Sequence, residues 1–451
     1  MLLARLLTPS DYGAIALLGV FFTISGTISE CGFRNALIRK DYCTQADYST
    51  AFFYNIGISF LLYILLYSCS PLIAQFYDLP ILCPVMRVSG ISIIISSINI
   101  TQSVQLTRKL DFKKPALVSI FTGSISGLVA ILAAYLGAGI WALVIQGLMS
   151  TILNSITLIY IVRWKPTIEI SYESFRYLWG FGSKMLATGI ISQLYANIYS
   201  IVIGKFYNAG TLGLYNRGER SACLFPDIIG GIFTNNTLPI MSQIKNDHEH
   251  LIRVYRKYIV LVSFFNIPAC LLLAALAKPY IVFFLTEKWI DAVIYVQIFC
   301  MASLLNSANQ VNLNIFQVEG RSDITLKLEL VKKLIGFSIV FMLAHFNPLI
   351  LAIGSACYSY FAYAINMYYA NKIEHLSYSQ QLKDLYPCFI SGIIAAIIAY
   401  LVTLLFSTSF LQLFLGALIG LLAYLIMTKY LFKMDIYSYI NEIIKRKTKN
   451  Q

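Results

Sequence analysis

Charge is scarce in this chain. Asp, Glu, Lys and Arg make up 12% of its 451 residues, roughly half the 25% or so of an ordinary soluble domain. With 58% hydrophobic residues there is too little polar surface to cover a soluble fold, so the natural solvent is lipid. Long polar runs are missing as well: the longest stretch runs from Phe432 to Gln451, and no soluble domain is expected. None of the nine cysteines forms a Cys-x-x-Cys pair, and most lie in apolar runs. They read as small core hydrophobes rather than disulfides or metal ligands. The four histidines are scattered, with only His248 and His250 sharing a loop. Neither a metal nor any other cofactor is expected. No cleavable signal peptide is evident at the start.

What is present is a series of apolar runs of 18 residues or more. Each is long enough to cross a hydrocarbon core of about 30 Å as a helix. The sequence predicts an all-α polytopic membrane protein with thirteen spans, at roughly 12–32, 50–74, 81–103, 116–136, 140–162, 177–204, 211–238, 252–276, 290–316, 327–345, 348–370, 385–407 and 410–432. The formal net charge of +13 would suggest nucleic acid in a soluble protein. Here the charges sit in short loops, so the expected partner is the anionic face of the bilayer and not nucleic acid. Alternate gaps between spans, beginning with 33–49, together with the tail hold 27 of the 34 Lys and Arg; the opposite gaps hold only Arg5, Lys205, Lys278 and Lys288. That bias places the C-terminus in the cytoplasm and the start of the chain on the other side.

An internal repeat accounts for that awkward start. Residues 5–13 align with 205–213 at an offset of 200, bringing Gly13 onto Gly213, and Val85–Asp111 aligns with Val296–Asp323. The order and spacing suggest two homologous six-helix lobes and a final helix pair: 1–162, 177–370 and 385–432, with a cytoplasmic tail at 433–451. The second half has a full span, 177–204, before its Lys205 turn, whereas the first has none before Arg5. The repeat therefore implies a further first helix of about 25–30 residues, giving fourteen in all.

Several segments carry a family resemblance: Leu2-Leu-Ala-Arg-Leu-Leu-Thr-Pro-Ser-Asp-Tyr-Gly13, Gly32-Phe-Arg-Asn-Ala-Leu-Ile-Arg-Lys40, Thr107-Arg-Lys-Leu-Asp-Phe112, Phe181-Gly-Ser-Lys184, and Ile203-Gly-Lys-Phe-Tyr-Asn-Ala-Gly-Thr-Leu-Gly-Leu-Tyr-Asn-Arg217 with Pro226 beyond. In this order they resemble the polysaccharide-transporter branch of the multidrug/oligosaccharidyl-lipid/polysaccharide exporter superfamily, the Wzx-like flippases. The resemblance implies fourteen helices in two lobes around a central cavity. It implies a MATE-like, non-enzymatic transporter of the bacterial inner membrane, flipping undecaprenyl-pyrophosphate-linked repeat units for O-antigen (lipopolysaccharide), capsule or exopolysaccharide by alternating access. Its partners would be that lipid-linked oligosaccharide, the bilayer, and the polysaccharide polymerase and chain-length machinery. The chain departs from the family pattern in lacking the first helix.

Such a substrate needs a cation-lined path for its pyrophosphate and polar groups for its sugars. Arg217 and Arg220 are three residues apart, which puts them on one helix face, about 9–14 Å inside their span at 1.5 Å per residue. Arginines this deep normally face a cavity, and their forks match phosphate oxygens. The alternative for them is a local ion-pair cluster with Glu219, or snorkelling. Arg87, near the start of its span, Arg34, just past Gly32, and Lys184, near the start of the 177–204 span, complete the cationic set. For Arg87 snorkelling, and for Arg34 a plain topology signal, compete with the binding role. Asn306, Asn309 and Asn312 recur every three residues and suit either sugar hydroxyls or interhelical hydrogen bonding.

Two other functions compete. A cation-coupled small-molecule or drug exporter would carry more membrane acids than Glu30, Glu219 and Asp227. A membrane polysaccharide polymerase would need a sizeable outer loop, and the longest outer gap is about 277–289. The charge bias gives a first test. In a cysteine-free background, a membrane-impermeant thiol reagent added from outside should label a cysteine placed between Lys278 and Lys288 and spare one at Lys113. The reverse labelling would invert the topology.

Overall fold

The computed structural model describes residues 2–374 and 378–434; most of the basic tail expected at 433–451 lies outside the described residues. Helices follow one another as α1 (Leu2–Leu6), α2 (Pro9–Glu30), α3 (Phe33–Arg39), α4 (Gln45–Phe76), α5 (Leu82–Ser89), α6 (Ile91–Arg108), α7 (Lys113–Tyr135), α8 (Ile140–Val162), α9 (Tyr172–Phe206), α10 (Ala209–Gln243), α11 (His248–Ala275), α12 (Ala277–Leu285), α13 (Ala292–Ser303), α14 (Asn306–Val318), α15 (Ser322–Leu343), α16 (Pro348–Glu374), α17 (Tyr378–Leu405) and α18 (Ser409–Ile426). No strand occurs among the described residues. Lipid offers the backbone no hydrogen bonds, so the segments that cross it satisfy themselves as helices. Among the described residues, eleven spans are long and apolar enough to cross a membrane. Helices α10 and α15, of 35 and 22 residues, occupy the two remaining expected places.

Local chemistry sets the helix ends. Thr8 caps α2 in a reciprocal box: the Asp11 amide donates to Thr8 Oγ1 (3.3 Å), the Thr8 amide donates to Asp11 Oδ2 (2.9 Å), and Pro9 occupies the first turn. Thr44 and Asp47 repeat the box at α4. Asp47 is wholly buried and also accepts from Lys40 Nζ at 2.7 and 2.8 Å, so its burial is compensated by a partner.

The packing forms two compact units that divide between Gly213 and Leu214. In the first, α7 packs on α8, α8 on α6 and α6 on α4, while α9 lies along α2, α3 and α4. The repeat grouped the 177–204 span with the second lobe; its packing partners lie in the first unit because Gly32 and Gly182 let the α2–α3 corner seat directly on α9. In the second unit α11 is central: 72% of its apolar window is buried, against 17% for the outer helix α18. It packs on α13, α14 and α17, and α17 packs on α18. The final pair is thus bound to the core of this unit, and the Tyr424 hydroxyl of α18 donates to the Phe264 carbonyl of α11 at 2.9 Å.

The segments aligned as repeats share a course. Helices α5 and α6 are separated by a break at Gly90, α13 and α14 by one at Leu304 and Leu305. Both longer helices close with a left-handed residue two positions beyond their end, Leu110 (φ 54°) and Gly320 (φ 69°). At the aligned glycines the correspondence is reciprocal. A Cβ on Gly13 would collide with the carbonyl of Ala209, and a Cβ on Gly213 with the carbonyl of Pro9. These obstacles are backbone and cannot yield as a side chain does. Gly13→Ala or Gly213→Ala should each cost about 1–3 kcal/mol from overpacking, read as a lowered thermal midpoint of the detergent-solubilised protein. Gly26→Ala meets nothing within 4 Å and should hold or gain stability. Equal midpoints for Gly13→Ala and Gly26→Ala would disprove the close crossing.

Candidate functional site

Helix α2 stops at Glu30 because Cys31 (φ 47°) and Gly32 (φ 69°) are both left-handed, a conformation that glycine adopts without strain. The chain turns sharply into α3. At this corner it touches α9: a Cβ on Gly32 would lie 2.6 Å from the Gly182 carbonyl oxygen, and one on Gly182 2.5 Å from that of Cys31. Beside the contact is a cleft of about 310 Å³, lined from the corner by Thr27, Glu30 and Asn35 and from α9 by Met185, Thr188 and Ser192, among others. Glu30 is half-buried; Asn35, Thr188 and Ser192 are exposed. Polar side chains left exposed on membrane-spanning helices normally face a polar path rather than lipid.

Arg34 and Lys184 do not line this cleft; each is the sequence neighbour of a lining residue, Asn35 and Met185, and both are exposed. The Arg34 guanidinium acts electrostatically on Glu30. Neither side chain makes a hydrogen bond or ion pair among the described residues, and other cations of the corner hold it together. Arg108 donates to the Leu37 carbonyl (2.5 Å), the Lys40 carbonyl and the Asp41 carbonyl (2.8 Å), satisfying the C-terminal end of α3. Arg39 lies 4.9 Å over the Phe181 ring, and Lys40 pairs with Asp47 at 2.7 Å.

The remaining sequence-derived residues are placed apart from the cleft. Arg87 clamps α5 to α4: its Nε donates to Ser70 Oγ at 2.9 Å, and its guanidinium sits 4.4 Å from the Tyr67 ring centroid. In the second unit Arg217 and Arg220 have unlike surroundings. Arg217 is half-buried, 5.9 Å from the ring of the wholly buried Trp289, whereas Arg220 is exposed. Three residues still leave a divergence of about 60° around a helix. The packed edge of α10 at Gly218, where an added Cβ would lie 2.5 Å from Tyr295 Cβ, is nearer the first arginine. Asn306 is exposed; Asn309 Oδ1 accepts from Asn366 Nδ2 (2.8 Å), and buried Asn312 accepts from the Tyr255 hydroxyl (2.6 Å). Gln381 Nε2 donates to that hydroxyl and to Asn371 Oδ1, each at 2.9 Å. Two of the three asparagines thus join helices. Asn35, Thr27, Thr188 and Ser192 are lining residues that sequence reasoning missed; the one available signal was Asn35 beside Arg34.

A family model described as polysaccharide biosynthesis protein matches residues 2–294. The teichuronic acid biosynthesis protein TuaB of Bacillus subtilis (strain 168) is 26% identical over 299 residues, 66% of this chain and 62% of TuaB. The chain thus matches less than two thirds of that relative. The lipopolysaccharide biosynthesis protein WzxC of Escherichia coli (strain K12) is 23% identical over 336 residues, 73% of this chain and 68% of WzxC. Among solved structures, the lipid II flippase MurJ in an inward closed conformation superposes with a TM-score of 0.77 at 18% identity, covering 96% of this chain and 95% of that one. That likeness shows a shared fold over nearly the whole length.

The contrast between bound and exposed polar groups is measurable. Tyr255→Phe strips Asn312 Oδ1 and Gln381 Nε2 of a buried partner and should cost about 1–3 kcal/mol, lowering the thermal midpoint. Arg34→Ala should leave the midpoint within error, because the side chain is exposed. A comparable loss from Arg34→Ala would make that cation structural.

Proposed function

The chain belongs to the polysaccharide biosynthesis protein family, and on that premise we propose that it flips a polyprenyl-pyrophosphate-linked oligosaccharide repeat unit across the bacterial inner membrane. The repeat unit would serve O-antigen, capsule or exopolysaccharide assembly. The protein works on this reading as a transporter rather than an enzyme, with its C-terminus in the cytoplasm and a polymerase and chain-length machinery downstream.

The observation that supports the reading is the cleft itself, with polar residues from the α2–α3 corner and from α9 and with Asn35 and Met185, sequence neighbours of the exposed Arg34 and Lys184, in its lining. A pyrophosphate entering the membrane must exchange its hydration for other partners. A guanidinium fork and an ammonium that make no hydrogen bond or ion pair among the described residues would supply them at small cost in reorganisation. Arg217 and Arg220 would serve a later stage of the same passage, Arg220 being the more available of the two. Arg87 contributes by holding α4 and α5 together, and Asn306 is the asparagine left to meet a sugar. The two lobes would expose the path to one face at a time.

Charge-assisted hydrogen bonds contribute about 1.5–3 kcal/mol each, or roughly 10- to 100-fold in affinity. In cells lacking the native gene, the double variant Arg34→Ala with Lys184→Ala should abolish surface polysaccharide while the protein still accumulates in the membrane. The lipid-linked repeat unit should build up on the cytoplasmic face. Arg34→Lys should restore only part of the export, since it keeps the charge but loses the fork. Normal surface polysaccharide from the variant lacking Arg34, Lys184, Arg217 and Arg220 together would end the proposal.

A further inference from the structure

We propose that the cleft between the α2–α3 corner and α9 is a saccharide subsite: it takes the sugar bonded directly to the pyrophosphate, while the phosphates stay outside at Arg34 and Lys184. This rests on the flippase reading above and assigns the cleft within it.

The division follows from Glu30. Its carboxylate lines the cleft, and a phosphate group placed against it would be strongly repelled. The exposed cations Arg34 and Lys184, each next in sequence to a lining residue, are the groups we assign to the phosphates instead. A neutral sugar meets the opposite situation, since an ionised carboxylate accepts several hydrogen bonds and those from hydroxyls are short and strong.

The other lining groups extend the match. The hydroxyls of Thr27 and Thr188 already donate within their own helices, to Thr23 O at 3.0 Å and to Met185 O at 3.0 Å, so what they offer an occupant is lone pairs. Asn35 is exposed, and its amide carries both donors and an acceptor. The cleft is therefore acceptor-rich, suited to a ring presenting free hydroxyl protons. Its volume of about 310 Å³ is at the small end of ligand pockets, about 300–1,000 Å³. It holds a single unit and leaves the rest of the oligosaccharide outside. Arg34 adjoins Asn35 and Lys184 adjoins Met185 in sequence, so the sugar we assign to the cleft is the one next to the phosphates. The same carboxylate sets a preference: it favours a neutral first sugar and disfavours an acidic one, such as a hexuronic acid.

The test uses the full chain in lipid nanodiscs and three probes: polyprenyl pyrophosphate without sugar, the same lipid bearing one neutral hexose, and the same lipid bearing one hexuronic acid. The protein as it stands should bind the hexosyl lipid at least ten-fold more tightly than the sugar-free lipid, and also more tightly than the uronosyl lipid. Glu30→Gln should bring the ratio of hexosyl to uronosyl affinity close to one. Asn35→Ala should reduce the gain that the hexose confers. Arg34→Ala should weaken all three lipids by a similar factor. Each readout is a ratio within one preparation, so a partly unfolded variant does not distort it. Equal affinity for hexosyl and sugar-free lipids, or a hexosyl-to-uronosyl ratio untouched by Glu30→Gln, would overturn the subsite while leaving the flippase reading standing. Failure of all three lipids to bind the folded protein would remove both.

Discussion

A peptide backbone in hydrocarbon has no partner but itself. That constraint makes every crossing a helix, and it makes the places where helices stop the points at which this chain can build anything else. The corner at Cys31 and Gly32 is such a point. Helix α3, which starts there, runs only seven residues, and its far end leaves carbonyls without helical partners. Arg108 from the end of α6 donates to four carbonyls at and just past that end, those of Leu37, Ile38, Lys40 and Asp41, so the short helix that follows the corner is anchored by a cation from elsewhere in the unit.

Much of this architecture was legible in the sequence, for a simple reason. Span length and apolarity are properties of contiguous residues, so each of the thirteen expected spans has its helix. The Thr8-Pro9-Ser10-Asp11 start and the parallel course of α5–α6 and α13–α14 are equally local. The site was legible only in part. Depth in a span marked Arg87 and Arg217 as costly charges, but not that Ser70, Tyr67 and Trp289 would receive them. The row Asn306, Asn309, Asn312 announced polar chemistry without revealing that Asn366 and Tyr255 would engage two of the three. Arg34 and Lys184 stood out separately. What brings the stretches that carry them together is Gly32 against Gly182, a contact across 150 positions that no periodicity encodes.

The cations and amides of the described residues fall into two groups with different physics. Arg108, Lys40 and Arg256, which forks onto Asp384 at 2.7 and 2.8 Å, have partners that offset their desolvation, and they fix helices. Arg34, Lys184 and Arg220 are exposed. Exposure leaves these three no comparable desolvation to offset.

The mutual crossing of Gly13 over Ala209 and Gly213 over Pro9 also limits how this chain can change. Where a side chain meets a side chain, a larger residue on one side can be answered by a smaller one on the other. Here the obstacle on each side is a backbone carbonyl, which every residue carries, so no second substitution can make room. The two positions are therefore held to glycine by geometry alone, while Gly26, with open space around it, is free to vary.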